Sequence, residues 1–428
     1  MTKKTLTPTS AVLLALMTMI GGGFFVNPRQ LAETMGAFSP LGYIISSLLM
    51  LPIILSIAEL ACLQPVSGGL YVYSKQYINP FAGFLSGWTY FLGKATSAAF
   101  LTHTVNTFFY NHFAVLQNFH PLVLDATLIG LLTTLHIIGI SITSKIQYLF
   151  SAMKFTPLIF GLLAGFLMFD GTNVNFISTD LSFGTLGTAL PACLYALIGF
   201  EIICAIGGFI QNPARNIRRT ILIAFSIVSI ATILFQIALL GSLGDSLAQA
   251  KEPMLNLGFA LLGNNVLVAK IINGLVFASI TGGAFFILGG NCWNLYTLAN
   301  NDHLPCTKLL TRTNSYGSPW VALVVQALTS ITMIGISTQQ LPLQNMVIFS
   351  MFSCFLMTCV AAINAGKQGL LNIPRFIPVL AIGTCSYVIG LCLSNMIKYG
   401  VSISFLSFFA IGLIATLTIR FSKTAAQP

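Results

Sequence analysis

Few residues of this sequence can carry charge, and three of them fall inside long apolar stretches: Lys94, Lys154 and Glu201. An ionisable group at bilayer depth is costly and marks function by default. Burial favours the neutral form of a carboxyl, which makes Glu201 a candidate proton carrier. The plainer reading is a structural acid hydrogen-bonded to unwound backbone of the first apolar segment, and the two are compatible. A buried lysine ammonium can stand where a sodium ion would otherwise sit, and its charge leaves with its proton. Lys154, in Lys154-Phe155-Thr156-Pro157, suits that role, with an interfacial lysine as its alternative. Lys94 is too far from either end of its segment to snorkel easily, and no motif surrounds it. Arg29 and Glu33, one helical turn apart, are expected to pair and so lower the cost of both.

Backbone supplies the rest of the chemistry. Gly21-Gly22-Gly23 interrupts the first apolar segment, and each glycine costs a helix roughly 1 kcal/mol relative to alanine. The segment should unwind there, and unwound backbone in lipid survives only against protein or a watery cavity. The half-helix starting at Phe24 would then aim free N–H groups and a positive dipole end into the membrane centre, a site for a carboxylate. The half-helix ending near Met19 and Ile20 would leave carbonyls for an ammonium. Together the two ends suit an α-amino acid. Glycines that merely let helices pack closely are the alternative. Tyr195-Ala196-Leu197-Ile198-Gly199-Phe200-Glu201 places a second glycine, with an acid, at comparable depth.

Composition excludes other chemistries. Of 428 residues, 56% are hydrophobic and 7% charged, against roughly 25% charged in soluble domains, so most of this surface faces lipid. The net charge of +10 is spread singly between apolar segments, which argues for membrane topology and against nucleic acid. The nine cysteines show no CxxC or Cys/His spacing and read as small core residues, and the five histidines are scattered. No metal or cofactor is expected. With nine acids and no paired-acid motif, an enzyme is disfavoured. A channel or receptor-like protein would not need two helix breaks around a central acid.

The elements that position these groups are apolar spans of about 20 residues. Twelve are expected, starting near Ser10, Leu41, Phe81, Pro121, Ile146, Gly184, Thr220, Val266, Pro319, Leu343, Phe376 and Val401. Lys3-Lys4 before an apolar run resembles a signal peptide, but an uncleaved first helix is expected. The longest polar connection runs from about Gly241 to Gly263. Asn212 to Arg219 reads as a polar loop ending the sixth span, its charges needed only for orientation. Asp125, Asp170, Asp180, Asp245 and Glu252 read as solvated. Lys3, Lys4, Lys75, Lys145, Arg215, Arg218, Arg219, Lys308, Arg312, Lys367, Arg375, Arg420 and Lys423 fall on one side, and only Lys251, Lys270 and Lys398 on the other. The positive-inside rule makes the first side, with both termini, cytoplasmic. The two breaks lie an odd number of spans apart, as in two inverted units with a site between their first helices. The units span residues 10–169 and 184–363, with two further helices over 376–421.

The motifs resemble the amino acid–polyamine–organocation superfamily of permeases, and most of all the bacterial branch containing the arginine/agmatine antiporter. Gly21-Gly22-Gly23-Phe24-Phe25 with Pro28 is similar to its first-helix signature. Ala58-Glu59-Leu60, Pro65, Gly68-Gly69, Tyr71 and Tyr73 are similar to its segment after helix two, and Gly87-Trp88 to its helix three. Gly199-Phe200-Glu201 with Asn212-Pro213 and Arg215-Asn216 resembles the helix-six signature, and Asn301-Asp302 to Pro305 the turn after helix eight. The resemblance implies an all-α polytopic fold of twelve transmembrane helices, a five-plus-five inverted repeat with helices one and six broken. It implies a substrate carboxylate on the N–H groups of Gly22 and Gly23, beside Gly21. It implies a substrate amine on carbonyls around Met19, Ile20, Tyr195 and Ile198. Tyr195, with Phe200, would supply the aromatic gate, and Glu201 a proton-sensitive acid. Lys154-x-x-Pro157 resembles the helix-five lysine of proton-coupled permeases. Gly22 departs by replacing a serine, and Ala284 falls near an inner-site tryptophan, which argues against arginine as substrate.

The expectation is a secondary active transporter of amino acids or their amine products in the cytoplasmic membrane. It would work by alternating access, as a proton-coupled symporter or an exchanger, with a polyamine or organic cation antiporter as the alternative. Its partners would be the amino acid, protons, the lipid bilayer and, as an assembly, a second copy of the chain.

Overall fold

Proline and glycine punctuate the chain. Pro8, Pro80, Pro121, Pro213 and Pro253 each begin a helix, where a missing N–H costs nothing. Thr7 and Asn79 cap two of these starts, accepting from the N–H groups of Ser10 and Ala82. The computed structural model describes residues 6–66, 68–174, 176, 182–263 and 265–425, the side chains of 140–145, 148, 151–152, 415 and 417–425 excepted. Lys3, Lys4 and Asp180 lie outside the described residues, as do the side chains of Lys145, Arg420 and Lys423.

The described residues are helical, with no strand beyond one isolated bridge between Leu6 and Ile210. In order the helices are α1 (Pro8–Met19), α2 (Gly22–Met35), α3 (Ser39–Leu63), α4 (Gly69–Tyr77), α5 (Pro80–His112) and α6 (Pro121–Ile138). Next come α7 (Ile140–Leu167), α8 (Phe183–Leu197), α9 (Ile202–Ala205), α10 (Pro213–Leu243), α11 (Ser246–Gln249) and α12 (Pro253–Leu262). The chain ends with α13 (Val266–Asn300), α14 (Thr307–Leu310), α15 (Trp320–Ile336), α16 (Gln340–Lys367), α17 (Phe376–Lys398) and α18 (Ser402–Ala425). Gly22–Leu63, Pro121–Ile138, Pro213–Leu243, Val266–Asn300, Gln340–Lys367 and Phe376–Lys398 are each long and apolar enough to cross a membrane. The protein is therefore a polytopic helical membrane protein.

Helix α5 organises the interior, packing against α13, α15 and α16. Small residues allow the close approach, as they do where lipid offers helices no hydrophobic drive to associate. A Cβ on Gly87 would lie 2.7 Å from Leu298, and one on Gly93 would lie 3.1 Å from Ser350. Polar pairs add registry: Asn291 donates to the Phe91 carbonyl at 3.0 Å, and Ser330 to the Ala95 carbonyl at 2.9 Å.

Four expectations need correction. The stretch from Gly241 to Gly263 is not a polar connection but holds α11 and α12, whose Met254 and Leu257 are buried. Arg215, Arg218 and Arg219 lie within the first two turns of α10, because Pro213 starts the helix there. Arg218 bonds Glu59 at 3.3 Å, tying α10 to the end of α3. Arg29 donates to the Ala248 carbonyl at 3.3 Å, while Glu33 points to the exterior, so the two do not pair. Asp125 and Glu252 are not solvated. Asp125 is fully buried one turn into α6, facing α5, with His103 Nδ1 at 2.7 Å and Asn106 Nδ2 at 2.8 Å. Glu252 accepts from Asn273 at 2.6 Å.

Because Asp125 has a partner on each oxygen, its loss leaves two polar groups stranded between α5 and α6. Asp125→Ala is expected to destabilise the protein by about 1–3 kcal/mol, discounted for the partial exposure of His103. A fall in thermal midpoint in detergent measures it; an unchanged midpoint would show that the cluster contributes nothing.

Candidate functional site

Two interrupted helices meet at the centre of the molecule. α1 ends at Met19 and α2 starts at Gly22, while α8 ends at Leu197 and α9 starts at Ile202. Side chains lock the interruptions together. Thr18 Oγ1 donates to the Gly199 carbonyl at 3.0 Å, and Asn27, one turn into α2, donates to the Ala192 carbonyl of α8 at 2.6 Å. Gly199 has φ +122°, a conformation side chains rarely adopt. A Cβ there would also lie 3.0 Å from the Thr18 carbonyl oxygen and 3.1 Å from Met19 Cα. Gly23 packs as closely: its Cβ would lie 3.0 Å from Ala196 Cα. Gly21, by contrast, faces open space. The triplet therefore both breaks the helix and admits α8.

A cavity of about 300 Å³ lies between these breaks, α5 and α13. Met19, Gly21, Gly22, Gly23, Lys154, Tyr195, Ile198 and Glu201 all line it. The first N–H groups of a helix have no acceptor within it, so α2 presents donors to the cavity at Gly22 and Gly23. The end of α8 presents carbonyls from the other side by the same argument. Ile20 does not line the cavity, nor does Phe200, which is fully buried with its ring 5.6 Å from that of Phe355.

The charged groups converge. Glu201 Oε2 accepts the Gly199 N–H at 2.8 Å, so this acid holds its own break in shape and not that of the first span. Its other oxygen accepts from Lys94 Nζ at 2.6 Å. Removing one partner of such a buried pair costs roughly 3–5 kcal/mol, because the survivor is left uncompensated. Lys154 is buried rather than interfacial and donates to the Met17 carbonyl in the last turn of α1 at 2.7 Å.

The two ends of the cavity differ. Tyr195 Oη lies 2.8 Å from Ser97 Oγ, and its ring meets Phe100 edge-on at 5.2 Å, closing one end together with Leu101. Beyond Phe100 a separate recess holds Arg29, His103 and Glu252. At the other end the cavity shares Gly68, Tyr71 and Thr297 with a recess reaching Lys75 and Gln76 of α4. There Lys75 bonds Asn301 at 2.9 Å, joining α4 to the residue after α13.

Sequence reasoning missed the Lys94 partnership. A signal existed, since an intramembrane cation needs an anion and Glu201 was the acid at comparable depth. Nor did it name the residues of the α13 wall, where Gly283, Phe286, Ile287 and Trp293 face the cavity while Ala284 is buried away from it. Phe286 and Trp293 carry no polar mark that separates them from the apolar residues around them.

The chain resembles known transporters along most of its length. It is 26% identical over 422 residues to the serine/threonine exchanger SteT of Bacillus subtilis, covering 92% of each chain. It is 28% identical over 298 residues to an uncharacterized transporter of Mycobacterium tuberculosis, covering 69% of this chain and 66% of that one. It is 26% identical over 374 residues to the lysine-specific permease LysP of Lactococcus lactis, covering 78% of this chain and 70% of that one. Residues 6–419 match the family model for amino acid permeases, and with broken helices facing a central cavity in an apolar helical body, the chain belongs to the amino acid permease family of multi-pass membrane transporters.

Proposed function

We propose that the protein is a secondary active transporter that moves amino acids across the cytoplasmic membrane by alternating access. The observation that carries this reading is the meeting of two helix breaks at one cavity, with backbone donors at Gly22 and Gly23 facing the carbonyl end of α8. A zwitterion satisfies both at once. Its carboxylate sits on the N–H groups of Gly22 and Gly23, and its ammonium on carbonyls of Met19, Tyr195 and Ile198. Tyr195 acts as the gate, holding one end closed through Ser97.

On this reading there are twelve spans. α1 with α2, and α8 with α9, form the first and sixth. α3, α5, α6 and α7 complete residues 10–169, while α10, α13, α15 and α16 complete 184–363, leaving α17 and α18 outside the inverted repeat. The excess of basic residues over Lys251, Lys270 and Lys398 puts both termini in the cytoplasm. The open end beside α4 is then the cytoplasmic one. Coupling is to protons, through Lys154 or Glu201, or is amino acid exchange of the kind named for the Bacillus subtilis relative.

Purified protein in liposomes should take up labelled amino acids saturably, with internal amino acid accelerating entry if it exchanges. An ohmic ion current without amino acid flux would reject the transporter reading.

A further inference from the structure

The cavity's own charges select among amino acids. Glu201 is the single carboxylate among the described residues that line it, and both its oxygens are occupied, one by Lys94 Nζ at 2.6 Å and one by the Gly199 N–H at 2.8 Å. The acid is 1% exposed, the lysine 13%. Lys94 also stands 5.4 Å from the centre of the Tyr90 ring, whose electron-rich face further holds a cation in place. The second cation of the cavity, Lys154, is turned to the Met17 carbonyl.

We propose that Lys94 is a charge-selectivity element: by occupying Glu201 it restricts the cavity to amino acids with uncharged side chains. The inference rests on the reading of this cavity as the amino acid site, and names the substrate class for it. A cationic side chain, or a polyamine, entering this space finds no free carboxylate and two ammonium groups, an arrangement that rejects it by repulsion as much as by missing attraction. An anionic side chain can reach Lys94 only by competing with Glu201, which leaves two carboxylates sharing one lysine in a buried site. An uncharged side chain disturbs neither and meets Ser97, Leu101, Phe286 and Ile287.

Removing the lysine should unmask the acid. In Lys94→Met, Glu201 loses its ion-pair partner and becomes an anionic subsite for the ammonium or guanidinium of lysine, arginine or a diamine. The test is a panel of serine, leucine, lysine, arginine, glutamate and putrescine. Each is scored by thermal stabilisation of the purified full-length protein and by competition against uptake of the best-bound labelled neutral amino acid. Wild type should respond to the neutral amino acids and not to the charged compounds. Lys94→Met should shift preference toward lysine, arginine or putrescine by about tenfold or more, and Lys94→Arg should keep the wild-type order. The double variant Lys94→Met with Glu201→Gln removes both charges and should show no gain of lysine, arginine or putrescine binding over wild type. Strong binding of lysine, arginine or glutamate by wild type overturns the proposal, and does so even if Lys94→Met fails to fold. An unchanged order in a folded Lys94→Met protein that still binds neutral amino acids overturns it too. No response of wild type to any amino acid would instead remove the substrate-site reading itself, a failure distinct from that of the selectivity role.

Discussion

Gly199→Ala is expected to weaken amino acid binding roughly tenfold to a hundredfold, equivalent to about 1–3 kcal/mol of backbone strain drawn from the binding-competent state. Two independent causes act at this residue. Its φ of +122° disfavours any side chain, and the added Cβ would press on the Thr18 carbonyl oxygen and Met19 Cα from 3.0 and 3.1 Å. Relief requires the two breaks to separate. That would disturb the Thr18 bond to the Gly199 carbonyl and the Gly199 N–H bond to Glu201, and with them the carbonyl end of α8. Gly21→Ala is the control, because a Cβ there meets nothing within 4 Å and should leave the thermal midpoint close to that of wild type. Gly23→Val should resemble Gly199→Ala, since its Cβ would meet the α8 backbone at Ala196. Scintillation proximity binding with the best-bound labelled amino acid reads the effect directly. Wild-type affinity in Gly199→Ala would mean that the join between the breaks does not shape the site.

The breaks were readable because their cause is local: three glycines in a row, and a glycine two residues before an acid, depart from the composition around them. Helix starts at Pro121, Val266 and Phe376 were likewise legible, since apolar runs with proline or polar boundaries state their own ends. What was hidden depends on distant residues. Lys94 and Glu201 are separated by 107 positions, and nothing near either names the other. Asp125 read as solvated because it stands at the edge of an apolar run. The direction it faces is set by α5, whose His103 and Asn106 reach it across the helix interface. α11 and α12 were hidden for a different reason. Glu252 and the flanking glycines looked like a connection, although Pro253 with the following apolar residues is a helix start. Along α13, Gly283, Phe286 and Ile287 reach the cavity and Ala284 does not, a choice made by the rotation of the helix against its neighbours, which the run of Gly, Ala, Phe and Ile over 282–287 does not reveal.

Lys154→Ala is expected to abolish accumulation of amino acid driven by a pH gradient, a fall of about tenfold or more, while exchange of internal for external amino acid persists. The ammonium of Lys154 is buried and bonds the Met17 carbonyl at 2.7 Å, so it joins α7 to the last turn before the first break. That carbonyl has no intrahelical donor to turn to, since the helix stops at Met19. A cation there holds α1 by charge-assisted bonding, and proton loss leaves only a neutral amine in its place. Met17, Lys154 and the two breaks line a single space, so this contact stands beside the proposed substrate site. Lys154→Gln separates charge from contact: it retains a donor for the Met17 carbonyl but carries no charge and no titratable proton. It should therefore match Lys154→Ala in gradient-driven uptake and exceed it in thermal stability. If both variants still accumulate amino acid when a pH gradient is imposed, as wild type does, the lysine is a structural tie between α7 and α1, and proton coupling runs elsewhere, with Glu201 the remaining candidate.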